Sequence, residues 1–227
     1  MKWHDTNLTA PNAVKNELEA LIRKCAQKEI IPAKRVFLSP GDRLDGVYYI
    51  ASGRTRHYMM GEDGVEKTLY TLSAGWFYGE TPSYLSEPTG LYSKAEVESE
   101  LLLIPLEIYS RLLSENPMFR EAILQSYSKK MLIMRHEIEN LCFNSCKDRL
   151  KRIYFAAADT ASVVDGGWHN LKINYTQYEL STIVGAARVT ISKLIGELCG
   201  EGFIRVLNRH TQISAEAVRQ MKMETGE

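Results

Sequence analysis

The feature that most constrains this chain is a row of apolar side chains in its middle. Leu124, Tyr127, Met131, Met134, Ile138 and Leu141 recur at alternating spacings of three and four. That is an a/d seam of nearly three heptads, and it predicts one long helix within 117–143. Lys129, Lys130, Arg135, Glu137 and Glu139 fall on the other faces of that helix. An apolar stripe needs a covering surface. The chain's own body would serve, but the short regular register favours the same helix of a second copy, as a parallel pair.

On either side of this helix the pattern changes. Residues 12–28 have helical spacing, with Val14, Leu18, Leu21, Ile22 and Cys25 on one face. From Pro32 to about Ile104, short apolar runs such as Val47–Ile50 and Lys67–Leu72 alternate with glycine-bearing turns at 39–42, 52–53, 61–64 and 74–75. Glu62-Asp63-Gly64 suits a hairpin, because Asp-Gly tolerates the positive φ angles of tight turns. The punctuation predicts a compact antiparallel barrel or jelly roll. Beyond the long helix, Ser145 is placed to cap a helix from Cys146 to about Asp159, and Asp165-Gly166-Gly167 breaks the chain again. The expected architecture is α+β: a barrel with an N-terminal helix over 1–116, the long helix over 117–143, and a small helical domain over 144–227.

Composition narrows the partners only slightly. Lys plus Arg equals Asp plus Glu, 28 against 28. From Ser145 onward there are 11 Lys/Arg against 9 Asp/Glu, too small an excess to indicate nucleic acid by itself. The N-terminal Met-Lys-Trp-His-Asp has no apolar core of a secretory signal, and the run Leu101–Leu106 is too short to span a bilayer. Four cysteines without an export signal read as reduced thiols, so no membrane partner and a cytoplasmic location are expected.

The last segment carries the motif with most functional content. Two short helices are expected from Gln177 to Val184 and from Arg188 to Cys199, joined by Gly185-Ala186-Ala187. Leu180, Ile183 and Val184 bury one face of the first; Ile191, Leu194, Ile195 and Leu198 form the stripe of the second. Gly185 sits where the tight turn needs a residue without Cβ. The exposed start of the second helix then offers Arg188, Val189, Ser192 and Lys193, as a recognition helix does to base edges in the major groove. Glu201-Gly202 ends that helix, and residues 205–213 read as a wing hairpin.

These residues resemble a known family. Thr176-Gln177-Tyr178-Glu179-Leu180, Ile183-Val184-Gly185 and Arg188-Val189-Thr190-Ile191-Ser192-Lys193-Leu194 look like the DNA-binding motif of the cyclic-AMP receptor protein/Fnr family. Asn140-Leu141-Cys142-Phe143, with Arg149-Leu150 after it, resembles the family's hinge. Pro40-Gly41, Val47-Tyr48-Tyr49-Ile50, Gly53 and Gly79-Glu80 match its cyclic-nucleotide-binding-like sensor barrel in order and spacing. The resemblance implies a homodimer that presents two recognition helices to palindromic double-stranded DNA and touches RNA polymerase if it activates. It also implies an effector at the barrel–helix junction that biases the hinge near Phe143–Ser145, and no enzymatic activity.

Carried over by position, Arg188, Val189 and Lys193 contact base edges, while Thr176, Gln177, Thr190 and Ser192 are better placed for phosphates. The chain departs from the family at Val189, where many members carry a glutamate that accepts from cytosine N4. Valine favours a thymine methyl, so an A·T-rich half-site is expected. In the sensor, Gly79-Glu80 resembles the start of the phosphate-binding cassette, in which the glutamate holds a ribose hydroxyl. The cassette's phosphate-binding arginine should fall near Thr89-Gly90-Leu91, and none is there. Cyclic AMP would lose a charge-assisted contact, so a different small effector is expected and no cofactor is assigned. Tyr70, Trp76, Phe77, Tyr78, Tyr84 and Tyr92 cluster near the cassette. With Gly79, Glu80, Met134, and Lys94 or Arg135 for charge, they suggest a pocket for an aromatic or otherwise apolar anion. The missing arginine and the Val-Thr-Ile-Ser helix also resemble the halorespiration-regulator branch, whose members sense chlorinated aromatic acids.

Two alternatives remain open at this level. A redox- or gas-responsive regulator of the same fold would use Cys142 and Cys146 or a haem on His57, although iron–sulfur relatives need closely spaced N-terminal cysteines and Cys25 stands alone. A jelly-roll metalloenzyme needs several histidines converging from barrel strands, and His57 is the only histidine between Pro32 and Ile104.

Overall fold

The computed structural model describes residues 12–164 and 166–225; the N-terminal pentapeptide, the side chain of Val14, and Asp165 lie outside the described residues. Contacts group the described chain into two compact units, 12–59 with 68–137, and 60–67 with 138–225.

The first unit opens with α1 (Asn12–Arg23), which is shorter than the sequence pattern suggests. Cys25 lies past its end, its thiol against the carbonyls of Leu21 and Ile22. The reason is the sheet: Gln27–Ile31, β1, pairs antiparallel with Ser99–Pro105, β8, and takes those residues out of the helix. Between them run β2 (Val36–Leu38), β3 (Gly46–Ser52), β4 (Arg54–Met60), β5 (Glu66–Ser73), β6 (Phe77–Tyr78), the short helix α2 (Glu80–Leu85) and β7 (Tyr92–Ala95). They form two four-stranded antiparallel sheets, ordered β1-β8-β3-β6 and β2-β7-β4-β5. Ile31, Ile50 and Leu101 from one sheet pack with Leu38, Leu72 and Ala95 from the other, so the barrel core lies between the sheets. On the other face of the first sheet, Val47, Tyr49, Leu102 and Ile104 pack with Leu18 and Ile22 of α1 and with Tyr109 of α3 (Leu106–Glu115).

The long helix, α4, runs from Pro117 to Phe143. Ile123, Ser126 and Glu137 on it are buried, and Tyr127 and Ile133 pack on the core clusters. Leu124, Ile138 and Leu141 are exposed, and Met131 is 71% exposed. Most of the apolar seam is therefore open. Tyr127 departs from the seam reading: it packs against the core beside Phe119 and Ile123. Three-and-four spacing recurs on neighbouring stripes of one helix, and this side chain lies on the inner one.

In the second unit, Ser145 caps α5 (Cys146–Ala157) with a reciprocal box: its hydroxyl accepts from the Asp148 N–H, and the Asp148 carboxylate accepts from the Ser145 N–H. The helix stops at Ala157. Ala158–Val164 is instead β9, paired with β10 (Trp168–Leu171), two strands that the sequence reading lacks. The two helices of the motif follow as α6 (Gln177–Val184) and α7 (Arg188–Gly200), then the wing, β11 (Ile204–Leu207) and β12 (His210–Ser214), and α8 (Ala215–Thr225). The sheet order is β11-β12-β10-β9, so the wing is half of a four-stranded sheet. Leu150, Tyr154, Leu180, Val184, Ile191, Leu198, Ile204 and Ile213 form its apolar core.

Candidate nucleic-acid interface and sensor interior

The recognition face is built by two turn devices and one core stripe. Thr176 starts α6 with a capping box: the Glu179 N–H donates to its hydroxyl, and the Glu179 carboxylate accepts from its N–H at 2.7 Å and from its hydroxyl at 2.9 Å. Gly185 ends the helix at φ 73°, with its N–H donating to the Ser181 carbonyl. A side chain at that left-handed angle is strained, so glycine fixes the turn into α7. Ile191 and Leu198 then sink into the core. This forces Arg188, Val189, Ser192 and Lys193 outward on one side of the first turns, with Thr190 also exposed. Val189 is 82% exposed, the only large hydrophobic of α7 among those standing out of the core. Ala187 caps α7 with no side-chain acceptor, which leaves the first backbone N–H groups oriented for another one. The wing turns at Asn208 and Arg209, φ 49° and 66°, with Leu207 opposite His210. Two positive φ angles make this a tight primed turn and hold Arg209 out at the tip.

Gln177 and, at the start of α7, Arg188, Val189, Thr190, Ser192 and Lys193 are all exposed. Thr176 is exposed too, but its hydroxyl already donates to Glu179 and its oxygen accepts from the backbone. A phosphate contact there would compete with the cap.

The sensor interior differs from expectation in its charges. Gly79 precedes α2 at φ 89°, and a Cβ there would meet Leu44 Cδ2 at 2.6 Å. This turn carries Glu80 inward, where it is 3% exposed. Its carboxylate is not left for a ribose. Lys130 of α4 donates to Oε1 and Oε2 at 2.7 Å each, and the Ser126 hydroxyl donates to Oε1 at 2.8 Å. The Lys130 ammonium also donates to the Phe77 carbonyl at 2.7 Å. Burial pulls the Lys130 pKa below that of an ordinary lysine, against the opposing pull of Glu80.

Next to this pair runs a chain of neutral hydrogen bonds. His57 is fully buried, with Nε2 2.9 Å from the Thr55 hydroxyl and Nδ1 3.1 Å from the Ser93 hydroxyl. Ser93 donates to the Tyr78 phenol at 2.6 Å, and that oxygen is 3.4 Å from the Thr89 hydroxyl. The imidazole packs against the rings of Tyr78 and Tyr70, with centroids 4.0 and 5.2 Å away. Burial, and then the charge of Lys130, hold the His57 pKa well below its usual value, so the ring is neutral. An axial haem ligand at His57 would have to give up one of these hydroxyl contacts. Among the described residues, no three of His, Cys, Asp and Glu are grouped as metal ligands.

Of the residues expected to line the sensor, Gly79, Glu80 and Tyr78 come together. Tyr92 and Lys94 do not join them. They pair across β4 with Tyr58 and Arg56, and alternation puts that row on the opposite face from His57 and Ser93. Tyr92 stacks on Tyr58 at 5.2 Å, and the Arg56 guanidinium sits 4.3 Å over the Tyr58 ring. Tyr84 and Arg135 are exposed, and Met134 is half-buried. The interior residues that sequence reasoning missed are Ser126, Lys130, Thr55 and Ser93; His57 was considered only as a haem ligand. A signal for the first two was present: Ile123, Ser126, Tyr127, Lys130, Ile133 and Glu137 form a second three-and-four stripe beside the apolar seam.

A barrel with a buried polar cassette, a long helix and a winged helix-turn-helix together define the class of effector-sensing DNA-binding regulators. Residues 28–116 match the model of the cyclic nucleotide-binding domain, and residues 150–221 that of the Crp-like helix-turn-helix domain. The chain belongs to the Crp/Fnr family and is a DNA-binding transcription regulator. It is 23% identical over 175 residues to a CRP-like cAMP-activated global transcriptional regulator of Mycobacterium tuberculosis, covering 77% of each chain. Among solved structures it resembles the c-di-GMP responsive global regulator CLP of Xanthomonas campestris, at 20% identity and a TM-score of 0.75, over 89% of this chain and 99% of that one. It also resembles CprK complexed with OCPA, at 15% identity and a TM-score of 0.70, over 91% and 93% of the two chains.

Among the described residues, no helix is long and apolar enough to cross a membrane.

Proposed function

We propose that the chain is a homodimeric regulator that reads an A·T-rich palindrome under the control of a small effector other than cyclic AMP. The observation that carries the DNA half is the exposed Val189, flanked by Arg188, Ser192 and Lys193 at the start of α7. An isolated valine held out of a well-packed core among cations and a hydroxyl suits a thymine methyl in the major groove. Leu124, Met131, Ile138 and Leu141 support the dimer, since they leave an apolar row uncovered along α4. Met134 joins the row, and Tyr127 leaves it. The absence of an arginine near 89–91, together with a cassette glutamate already bonded to Lys130, weighs against a cyclic phosphate.

The test is selection of operators from random duplex DNA by the full-length chain, repeated with Val189→Glu. The expected outcome is an A·T pair at the position Val189 faces and its replacement by C·G in the variant, worth about 1–3 kcal/mol of discrimination. Identical selected sites from the two proteins would remove Val189 from base readout.

A further inference from the structure

One stretch of the winged domain is cationic in a chain whose charges otherwise balance. Strand β10, residues 172–176 and the wing carry Lys172, Arg205 and Arg209 and no Asp or Glu. The stem of the wing is braced from side to side. Arg205 donates to Gln212 Oε1 at 2.7 Å, and Gln212 donates to Asn170 Oδ1 at 2.7 Å, one side chain from each of three strands. The Arg205 guanidinium also lies 4.6 Å over the Trp168 ring. The tip is tied separately. The Asn174 amide donates to His210 Nδ1 and accepts from the Thr211 N–H at 3.2 Å. That pins the start of β12 beside the segment leading into α6. Asn208 and Arg209 stand between this tie and Leu207, both exposed and both at left-handed angles. Arg205 is engaged by the stem, whereas Arg209 has no partner among the described residues.

We propose that Arg209 reads the minor groove beside each half-site and favours A·T over G·C pairs there. The inference rests on the DNA-binding reading above, and not on Val189 as a reader of bases. In a helix-turn-helix the second helix lies in the major groove and the first crosses the backbone. Asn174, two residues before the Thr176 cap, holds the wing tip beside the start of α6. The tip therefore meets the duplex across that backbone from α7, where the next groove is the minor one. A guanidinium has only donors to offer. A·T pairs present adenine N3 and thymine O2 as acceptors in that groove, while a G·C pair adds the guanine N2 amino group as a competing donor. Runs of A·T pairs also narrow the groove and deepen its negative potential, which draws an arginine in. A loose cation is enough for a phosphate, which carries no sequence information. A tip fixed on both sides restricts Arg209 to one line of approach.

The experiment is fluorescence anisotropy of the full chain on duplexes that share one selected core and differ only in the flanks. The varied pairs lie about five base pairs to either side of the pair that Val189 faces, half a helical turn away. A·T and G·C flanks are compared with inosine·C, which lacks the guanine N2 amino group, and with 2,6-diaminopurine·T, which gains one. Neither analogue changes the hydrogen-bonding edge in the major groove. The wild type should bind A·T and inosine·C flanks about tenfold more tightly than G·C and diaminopurine·T flanks. Arg209→Asn keeps the turn, because asparagine tolerates the left-handed angle at this position. It should melt at the same temperature and bind all four flanks alike. An even response of the wild type, a preference that survives Arg209→Asn, or inosine·C behaving as G·C would overturn the inference. So would an equal loss in Arg209→Asn on every flank with a salt slope lower by about one, which marks a phosphate contact. A chain that selects a core but ignores its flanks overturns this inference alone; one that binds no duplex overturns the DNA-binding reading.

Discussion

The two units solve the problem of a core in opposite ways. The winged domain buries Leu150, Tyr154, Leu180, Val184, Ile191 and Leu198 and sends its charges to the surface, as in the Lys147 contacts with Glu197 and Glu201. The barrel buries an ammonium, a carboxylate and an imidazole among its rings. A purely apolar core has one low-energy packing and holds a rigid face. A core with a buried ion pair is stable only while every partner is present, which makes it responsive to a change of partner. The first arrangement suits a surface that must keep its shape against DNA, the second an interior that has to register a ligand.

The largest effect should come from breaking the polar core. Lys130→Met leaves Glu80 buried without its cation and should lower stability by about 3–5 kcal/mol; adding Glu80→Gln should recover most of that, as read by urea denaturation. In the winged domain Leu180→Ala should cost about 2–5 kcal/mol, with no second substitution of a contacting charge to restore it. If the single and double variants in the barrel were equally unstable, the ion pair would be packing and nothing more.

A pH titration sharpens the same contrast. The folded-state pKa of His57 is depressed, so the unfolded chain takes up a proton near pH 6.5 that the folded chain refuses. Stability is therefore full above that pH and falls as the solution is acidified through it. The slope approaches about 1.4 kcal/mol per unit until the folded pKa is reached. Urea midpoints between pH 7.5 and 5 should show this loss in the wild type and a flatter profile in His57→Gln. The smallest effect belongs to the winged domain: Ser145→Ala removes the cap of α5 and should cost about 1 kcal/mol, detectable as a shift in midpoint with unchanged pH dependence.

Much of the fold was legible because it rests on local rules. Ser145, the glycine at 185 and the stripe Ile191, Leu194, Leu198 mark helix ends and faces without reference to the rest of the chain. Two kinds of feature were not. Residues 158–164 carry no alternation, and their strand exists because β10 pairs with them, a tertiary choice that overrides local preference. Lys130 lies on a second stripe that marks it as inward-facing, but nothing along the chain announces that its partner will be Glu80, fifty positions earlier. The same holds for Tyr92 and Lys94. Their strand was expected near the cassette, but which of its faces turned inward depended on register, and a shift of one residue exchanges the faces.

Lys130 and Met131 are consecutive on α4, one turned into the barrel and the other out into the open row. With 100° between neighbours on a helix, the barrel-facing and open surfaces are interleaved through every turn of the same rod. Inheritance therefore acts on both together. A lineage cannot rework the barrel-facing side of this helix by inserting or deleting a residue, because the same change would scramble the open apolar row; changes on either side must arrive by replacement in place.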